Sequence, residues 1–460
     1  MVVPIDTIVA LSTPPGRGGI GVIRISGNES LRILRTLVGF ASFNPTPNLL
    51  TLKSLYDSIT GEALDEALVC FFKGPHSFTG EDLVELHCHG SPVLLRAIID
   101  LILKLDARLA APGEFSLRAV TNGRMNLAEA EAVRDLIEAQ TESALRQATR
   151  QLKGEISSRL GPVEQDLLNI IVRLESSLEF VEDDLPAVAS HEILGSLQKV
   201  RLELSRLAGT FAAGKLLRDG LKVAFVGRPN VGKSSLFNRL VGHGRAIVTP
   251  IPGTTRDTLT ESIGLNGVPV LLIDTAGIRD STNEIESLGV ERTRREAADA
   301  DLLIVVVDGS EYFRKEDDLV LAEVADARYI VALNKCDLPT FSLARFDEWV
   351  GPLPNCVALV SVSAKSEAGL DSLRAAILQP FANGNVHSEG LLITNARHHD
   401  LLVRAIETIV SSERLLEQRA SEELILVGLH GALRYLGEIT GETTTDEILG
   451  QIFSTFCIGK

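Results

Sequence analysis

Aromatic side chains are scarce in this sequence, 5% of 460 residues with a single tryptophan, so leucine, isoleucine, valine and alanine must build its cores. Cysteines are few as well: Cys70, Cys88, Cys336, Cys356 and Cys457 are scattered, odd in number and without zinc-like spacing. That usage excludes a disulfide-built scaffold and fits a reducing compartment. The longest apolar run, Leu302 to Val307, falls far short of the roughly 20 residues a membrane span needs. The opening Met-Val-Val-Pro-Ile-Asp-Thr-Ile lacks the basic region and apolar stretch of a signal peptide, so a cytoplasmic protein with no membrane association is expected. Net positive charge is also missing. The balance of −16 argues against a protein that coats nucleic acid nonspecifically, yet leaves room for a structured RNA on a local basic patch.

What is present is ordinary globular composition, 45% hydrophobic and 23% charged, at a length that suggests about three structural units. Up to about Val120, short β-like runs (Thr7–Leu11, Gly21–Ile25, Ala67–Phe72, Leu83–His87) mix with Gly/Pro turns and one strong helix, Pro92–Leu105, which reads as α+β. From Asn126 a long amphipathic helix is predicted, with Leu127, Ala130, Leu136, Leu145, Leu152 and Leu160 at three- and four-residue steps. Pro162 is expected to begin the next helix, and a further helix is predicted from His191 to Ala213. From Leu221 to Pro380 strand and helix signals alternate, and after Thr394 the helical pattern returns. Helix before and helix after predict a multidomain α/β chain: an N-terminal α+β domain (1–120), a discontinuous helical domain (121–219 and 383–460), and an inserted Ras-like P-loop domain (220–382).

The inserted segment carries the chemistry. Strand Val223–Val226 runs into Gly227-Arg-Pro-Asn-Val-Gly-Lys-Ser, a phosphate-binding loop ahead of a helix. Its backbone N–H groups at Asn230, Val231, Gly232, Lys233, Ser234 and Ser235 can cradle phosphates at a helix N-terminus. Lys233 can reach the β- and γ-phosphates, and the Ser234 hydroxyl can ligate Mg²⁺. After strand Val270–Ile273 come Asp274, Thr275, Ala276 and Gly277, the aspartate for the Mg²⁺ shell and Gly277 for the γ-phosphate. After strand Tyr329–Leu333 come Asn334, Lys335 and Asp337. A carboxylate there accepts both N1–H and the 2-amino group of guanine, which adenine cannot offer, so the nucleotide is expected to be GTP. Ser363, Ala364 and Lys365 supply the backing contact to the base. Between the first two motifs lie Thr249, Pro250, Ile251, Pro252, Gly253, Thr254 and Thr255, read either as a surface turn or as a switch segment whose Thr255 closes on Mg²⁺.

Ras-type GTPases orient the attacking water with a glutamine directly after Asp-x-x-Gly; here that position is Ile278, and no arginine finger can be assigned. Asn230 can help hold a monovalent cation where the guanidinium would sit. Glu286 reads as a solvated charge or as the acid that reaches the water through the loop after Gly277. His87 and His89 share a strand face, with no third metal ligand evident.

Four segments outside the nucleotide motifs are familiar: Asp6–Gly27, Ser77–Gly90, Ala111–Ala132 and the closing Phe456–Lys460. With them the chain resembles, over essentially its whole length, the MnmE (TrmE) family of tRNA-modification GTPases. The resemblance implies an N-terminal domain that binds 5-formyl- or 5,10-methylene-tetrahydrofolate and forms a homodimer, and G domains that pair in a potassium-dependent way. It implies work with the flavoprotein MnmG on C5 of the wobble uridine of certain tRNAs, adding an aminomethyl or carboxymethylaminomethyl group with a folate-borne carbon. By position, potassium would take Asn230, Thr249, Ile251 and Thr254, Mg²⁺ would take Ser234 and Thr255, and Glu286 would be the catalytic acid/base. Folate would meet Arg24, Glu85, Arg124 and Lys460; many relatives carry lysine at 124, and arginine keeps its charge but not its shape. The family places Cys457 near the folate and needs it for modification.

A GTP-dependent ribosome-assembly factor would share the nucleotide motifs and Asn230. That alternative leaves the N-terminal segments without a task, and no KH-like Gly-x-x-Gly module follows the G domain.

Overall fold

The computed structural model describes residues 6–179, 187–243, 259–274, 300–349, 353–381 and 390–459. The chain divides into two compact units, Met1–Arg134 with Leu152–Ser158 and Arg434–Lys460, and Asp135–Gln151 with Arg159–Leu433.

The first unit is built on strands β1 (Thr7–Leu11), β2 (Ile20–Ser26), β3 (Thr51–Tyr56), β4 (Ala63–Phe72), β5 (Leu83–His89) and β6 (Ala107–Leu109). They lie in the order β3-β4-β5-β2-β1-β6, antiparallel except for the parallel β1–β6 pair. Side chains alternate faces along each strand. Val9, Ile23, Ile25, Val84 and Leu86 meet Ile33, Leu34 and Leu37 of helix Ser30–Val38 and Ile98 and Ile102 of helix Pro92–Leu103. The intervening Ile8 and Ala10 pack with Phe115 and Ala110. A satellite cluster joins Leu127 and Ala130 to Phe453 and Phe456, which anchors the chain after helix Asp446–Ser454.

The second unit holds β7 (Leu221–Val226), β8 (Leu259–Leu265), β9 (Val268–Asp274), β10 (Leu302–Asp308), β11 (Tyr329–Asn334) and β12 (Cys356–Ser361), in the order β12-β11-β10-β7-β9-β8. All neighbours are parallel except β8–β9. Both faces are covered, as parallel sheets require. Val223, Phe225, Leu302, Ile304 and Val306 face a core shared with Leu236 and Leu240 of helix Lys233–His243 and Leu373 and Ile377 of helix Leu370–Leu378. Ala224, Val226, Leu303, Val305 and Val307 face the other core with Leu321 and Val324 of helix Lys315–Val324. Parallel strands bring their C-terminal ends to one edge, where ligands of such sheets bind. The unit also holds helices from two distant stretches of sequence, among them Ala187–Ala208 packed on Ala396–Glu417, with Arg201 donating to Glu413 at 3.0 Å. The expected class holds: an N-terminal α+β sheet, helices from separated segments, and a P-loop GTPase-type sheet between them.

Several expected boundaries differ. Helix Glu155–Glu179 runs through Pro162 instead of starting there. Ile156, Leu160, Leu167, Ile170 and Leu174 are buried on both sides of the proline, and that packing offsets the one lost backbone bond. The long helix predicted from Asn126 is broken into Leu127–Glu138 and Glu142–Leu152, with Gly154 at φ +76° ahead of the next helix. The His191–Ala213 helix is likewise two, Ala187–Ala208 and Phe211–Asp219.

Candidate functional site

At the shared edge of the second sheet, β7 passes into the phosphate-binding loop. Gly227 has φ +146° and Gly232 φ +96°. A Cβ on Gly227 would lie 2.4 Å from the Val306 carbonyl, and one on Gly232 would lie 2.3 Å from Asn334 Nδ2, so only glycine fits this close approach. Asn230 between them is also left-handed, at φ +65°, with its side chain in an exposed residue. Lys233, 8% exposed, folds back over the loop and donates to the carbonyls of Gly227 (2.7 Å) and Arg228 (2.9 Å). Burial pushes its ammonium below the usual lysine range, while the charge of Asp274 opposes that and Arg228 adds to it. Asp274 ends β9 beside Phe225 of β7 and is 1% exposed. Arg228 is held from outside by Asp317 (3.2 Å) and Glu311 (3.2 Å).

β11 delivers the base-side residues. Asn334 is 2% exposed and ties two loops together: its Nδ2 donates to Val231 O at 2.8 Å, and its Oδ1 accepts from Ala364 N at 3.1 Å. Asp337 is exposed, and the Ser363 hydroxyl donates to it at 2.6 Å, which holds its carboxyl below the usual range and so ionised. The same Ser363 oxygen accepts from Lys365 N (3.2 Å) and Ser366 N (3.0 Å). Arg239, on the helix after the phosphate loop, donates to Ala364 O at 2.9 Å. The structure thus brings Asn230 to Ser235, Asp274, Asn334 to Asp337 and Ser363 to Lys365 to one edge. Thr249, Pro250, Ile251, Pro252, Gly253, Thr254, Thr255, Thr275, Ala276, Gly277 and Glu286 lie outside the described residues.

In the first unit, Arg24 and Glu85 face each other across β2 and β5. Arg24 donates from Nη2 (2.8 Å) and Nε (3.1 Å) to one Glu85 oxygen; the other meets His87 Nε2 at 3.3 Å. The Arg24 guanidinium lies 5.2 Å from the Phe78 ring centre and 5.8 Å from that of Phe115, close enough for cation–π attraction. Gly459 joins this cluster: its carbonyl accepts from Ser12 Oγ (3.1 Å) and Arg24 Nη1 (3.4 Å). Arg124 is exposed and donates to Ser77 O at 2.9 Å. Cys457 is exposed, its carbonyl accepting from Gly113 N at 3.4 Å; Lys460 lies outside the described residues. His89 is bound to Asp65 at 2.6 Å.

Two charged groupings escape sequence reading. Arg118, 0% exposed, is shared among Asp6 (2.6 Å), Glu114 (2.9 Å) and Glu81 (3.1 Å). Asp308, the last residue of β10, binds the Lys335 ammonium and takes two bonds from Ser310. No motif spacing marks either; burial alone does.

Comparison with known proteins agrees with this geometry. A model of the MnmE helical domain matches residues 127–457, and one of the GTP-binding protein TrmE N-terminus matches 7–124. A tRNA modification GTPase MnmE from Koribacter versatilis is 45% identical, with 99% of each chain covered, and one from Natranaerobius thermophilus is 41% identical, again with 99% of each covered. Among solved structures, the G domain of the T. maritima FeoB iron transporter is similar over 35% of this chain and 99% of that one, at 27% identity and a TM-score of 0.27. Matched by family models on both sides of residue 125 and by relatives along its whole length, the chain belongs to the MnmE family of tRNA modification GTPases.

Proposed function

We propose that this chain is a potassium-activated GTPase which, as a homodimer and with the flavoprotein MnmG, installs an aminomethyl or carboxymethylaminomethyl group at C5 of the wobble uridine of certain tRNAs. The carbon would come from 5-formyl- or 5,10-methylene-tetrahydrofolate. The observation that carries this reading is the coexistence in one chain of a guanine-type edge, Asp337 held ionised by Ser363, and the Arg24–Glu85 cluster in the separate N-terminal sheet.

Each part has its residues. Lys233 and the N–H groups from Asn230 to Ser235 bind phosphate, and Asp337 with the Ser363–Lys365 loop reads guanine. Ser234 at the helix start and buried Asp274 at the end of β9 would hold Mg²⁺ together with Thr255, and the ion would supply neutralisation of phosphate charge there. Potassium is assigned to Asn230 with Thr249, Ile251 and Thr254, in place of an arginine finger. Glu286 is the proposed acid/base, and Pro250, Pro252, Gly253, Thr275, Ala276 and Gly277 are assigned to the same nucleotide. Arg24, Glu85, Arg124 and Lys460 are assigned to folate, with Cys457 on the neighbouring tail. The segments 1–120, 121–219 with 383–460, and 220–382 are the corresponding domains, in a cytoplasmic protein. Support for a dimer comes from the edge hairpin of the first sheet, where Leu52 (61% exposed) and Leu68 (41%) pair directly across β3 and β4 with Leu49 and Leu50 exposed alongside.

The test is nucleoside mass spectrometry of bulk tRNA from cells lacking the gene and from cells complemented with it. Loss and recovery of aminomethyl-type uridines is the expected result. Unchanged uridines would overturn the modification reading and restore the ribosome-assembly alternative.

A further inference from the structure

The guanine loop carries a support that its motif does not contain. Asp308 and Asn334 are register partners at the ends of β10 and β11. Lys335 follows at φ +67°, a left-handed conformation that is strained for a lysine. Its ammonium reaches sideways to Asp308 Oδ2, while Oδ1 of the same carboxylate accepts from Ser310 N (3.0 Å) and Ser310 Oγ (2.6 Å). The Asp308 side chain is 2% exposed, and that of Lys335 34%. A buried carboxylate fixed on one oxygen by a turn therefore grips a half-exposed lysine with the other.

From this geometry we infer that Asp308 is a positioning residue for nucleotide binding, holding Lys335 in a preformed place beside Asn334 and Asp337. The inference rests on the guanine-nucleotide reading of this edge. A free lysine side chain gives up rotamer entropy when it is ordered. Where the ion pair has already fixed it, the incoming base meets an ordered four-carbon stem and binding is spared that loss. Burial alone would push the Asp308 carboxyl up; the bonds from Lys335 and Ser310 overcome this and hold it below its ordinary value, so the grip stays charged at neutral pH. Asp308 acts through Lys335, and its effect belongs to affinity rather than to the chemical step.

The experiment is a double-mutant cycle in the full chain, with GDP affinity from calorimetry and GTP turnover at saturation. Asp308→Asn should weaken GDP binding roughly 5- to 10-fold, the scale of one charge-assisted contact, with kcat within about 2-fold of the parent. On a Lys335→Met background the same change should alter affinity by less than about 2-fold. Asp308→Glu, which keeps the charge, should retain most of the affinity, and should the double variant fail to fold, the contrast between Asp308→Asn and Asp308→Glu on the parent background carries the test. Equal losses on both backgrounds, an unchanged affinity in Asp308→Asn, or a Glu variant as weak as Asn would each overturn the inference. Failure of the parent chain to bind GDP would instead overturn the nucleotide reading itself.

Discussion

A single hydroxyl decides how Asp337 works. Ser363 donates a hydrogen bond to the carboxylate, favours its ionised form, and uses the same oxygen to gather the N–H groups of Lys365 and Ser366. The acceptor for guanine is thus rigid as well as charged. Asp337→Asn replaces one acceptor oxygen by a donor, so GDP should weaken by roughly 10- to 100-fold, as expected for a lost charge-assisted contact, while xanthosine diphosphate gains; competition binding checks both. Residues of this kind were legible in the sequence because Lys233, Asn334 and Asp337 sit in motifs of fixed spacing. Asp308 and Arg118 were not. An isolated acid or base in a sequence reads as a solvated charge, and only burial, 3% exposure for Asp308 and none for Arg118, makes each a structural fact.

Elements were read best where one period ran undisturbed, as in β1 and in β10 with its two alternating faces. They were misread where tertiary packing outweighed a local signal, as at Pro162, or where a glycine broke a continuing apolar pattern, as at Gly154. β8 went unseen although Asn266-Gly267, at φ +48° and +85°, is a strong two-residue hairpin signal between it and β9. Thr141 Oγ1 donates to the Gly267 carbonyl at 2.8 Å, so that tip is docked on the start of helix Glu142–Leu152. Helix Phe211–Asp219 makes another close approach. A Cβ on its Gly214 would stand 2.1 Å from the Ile393 carbonyl, a backbone atom that cannot swing aside. Gly214→Val should therefore cost about 2–4 kcal/mol by forcing the helix away from the segment at Ile393, read as a lower denaturation midpoint at an unchanged slope.

At the scale of the whole molecule, the sheet that carries Arg24 exposes Leu49, Leu50, Leu52 and Leu68 at its β3–β4 edge. Exposed sheet edges ordinarily bear charge to prevent pairing, so an apolar one invites a partner. Leu52→Glu with Leu68→Glu places like charges opposite each other on β3 and β4; the expected outcome is a shift from dimer to monomer in light scattering, with GDP affinity per chain unchanged. A parent chain that is already monomeric would remove the support this surface lends to a homodimer. The Gly459 carbonyl adds a consequence in time. Ser12, just after β1, waits for a partner 447 residues downstream, so the sheet can form during synthesis before Gly459 joins the Arg24 cluster. Chains interrupted between Leu109 and Gly459 would hold all six strands yet lack the carbonyl that meets Ser12 and Arg24.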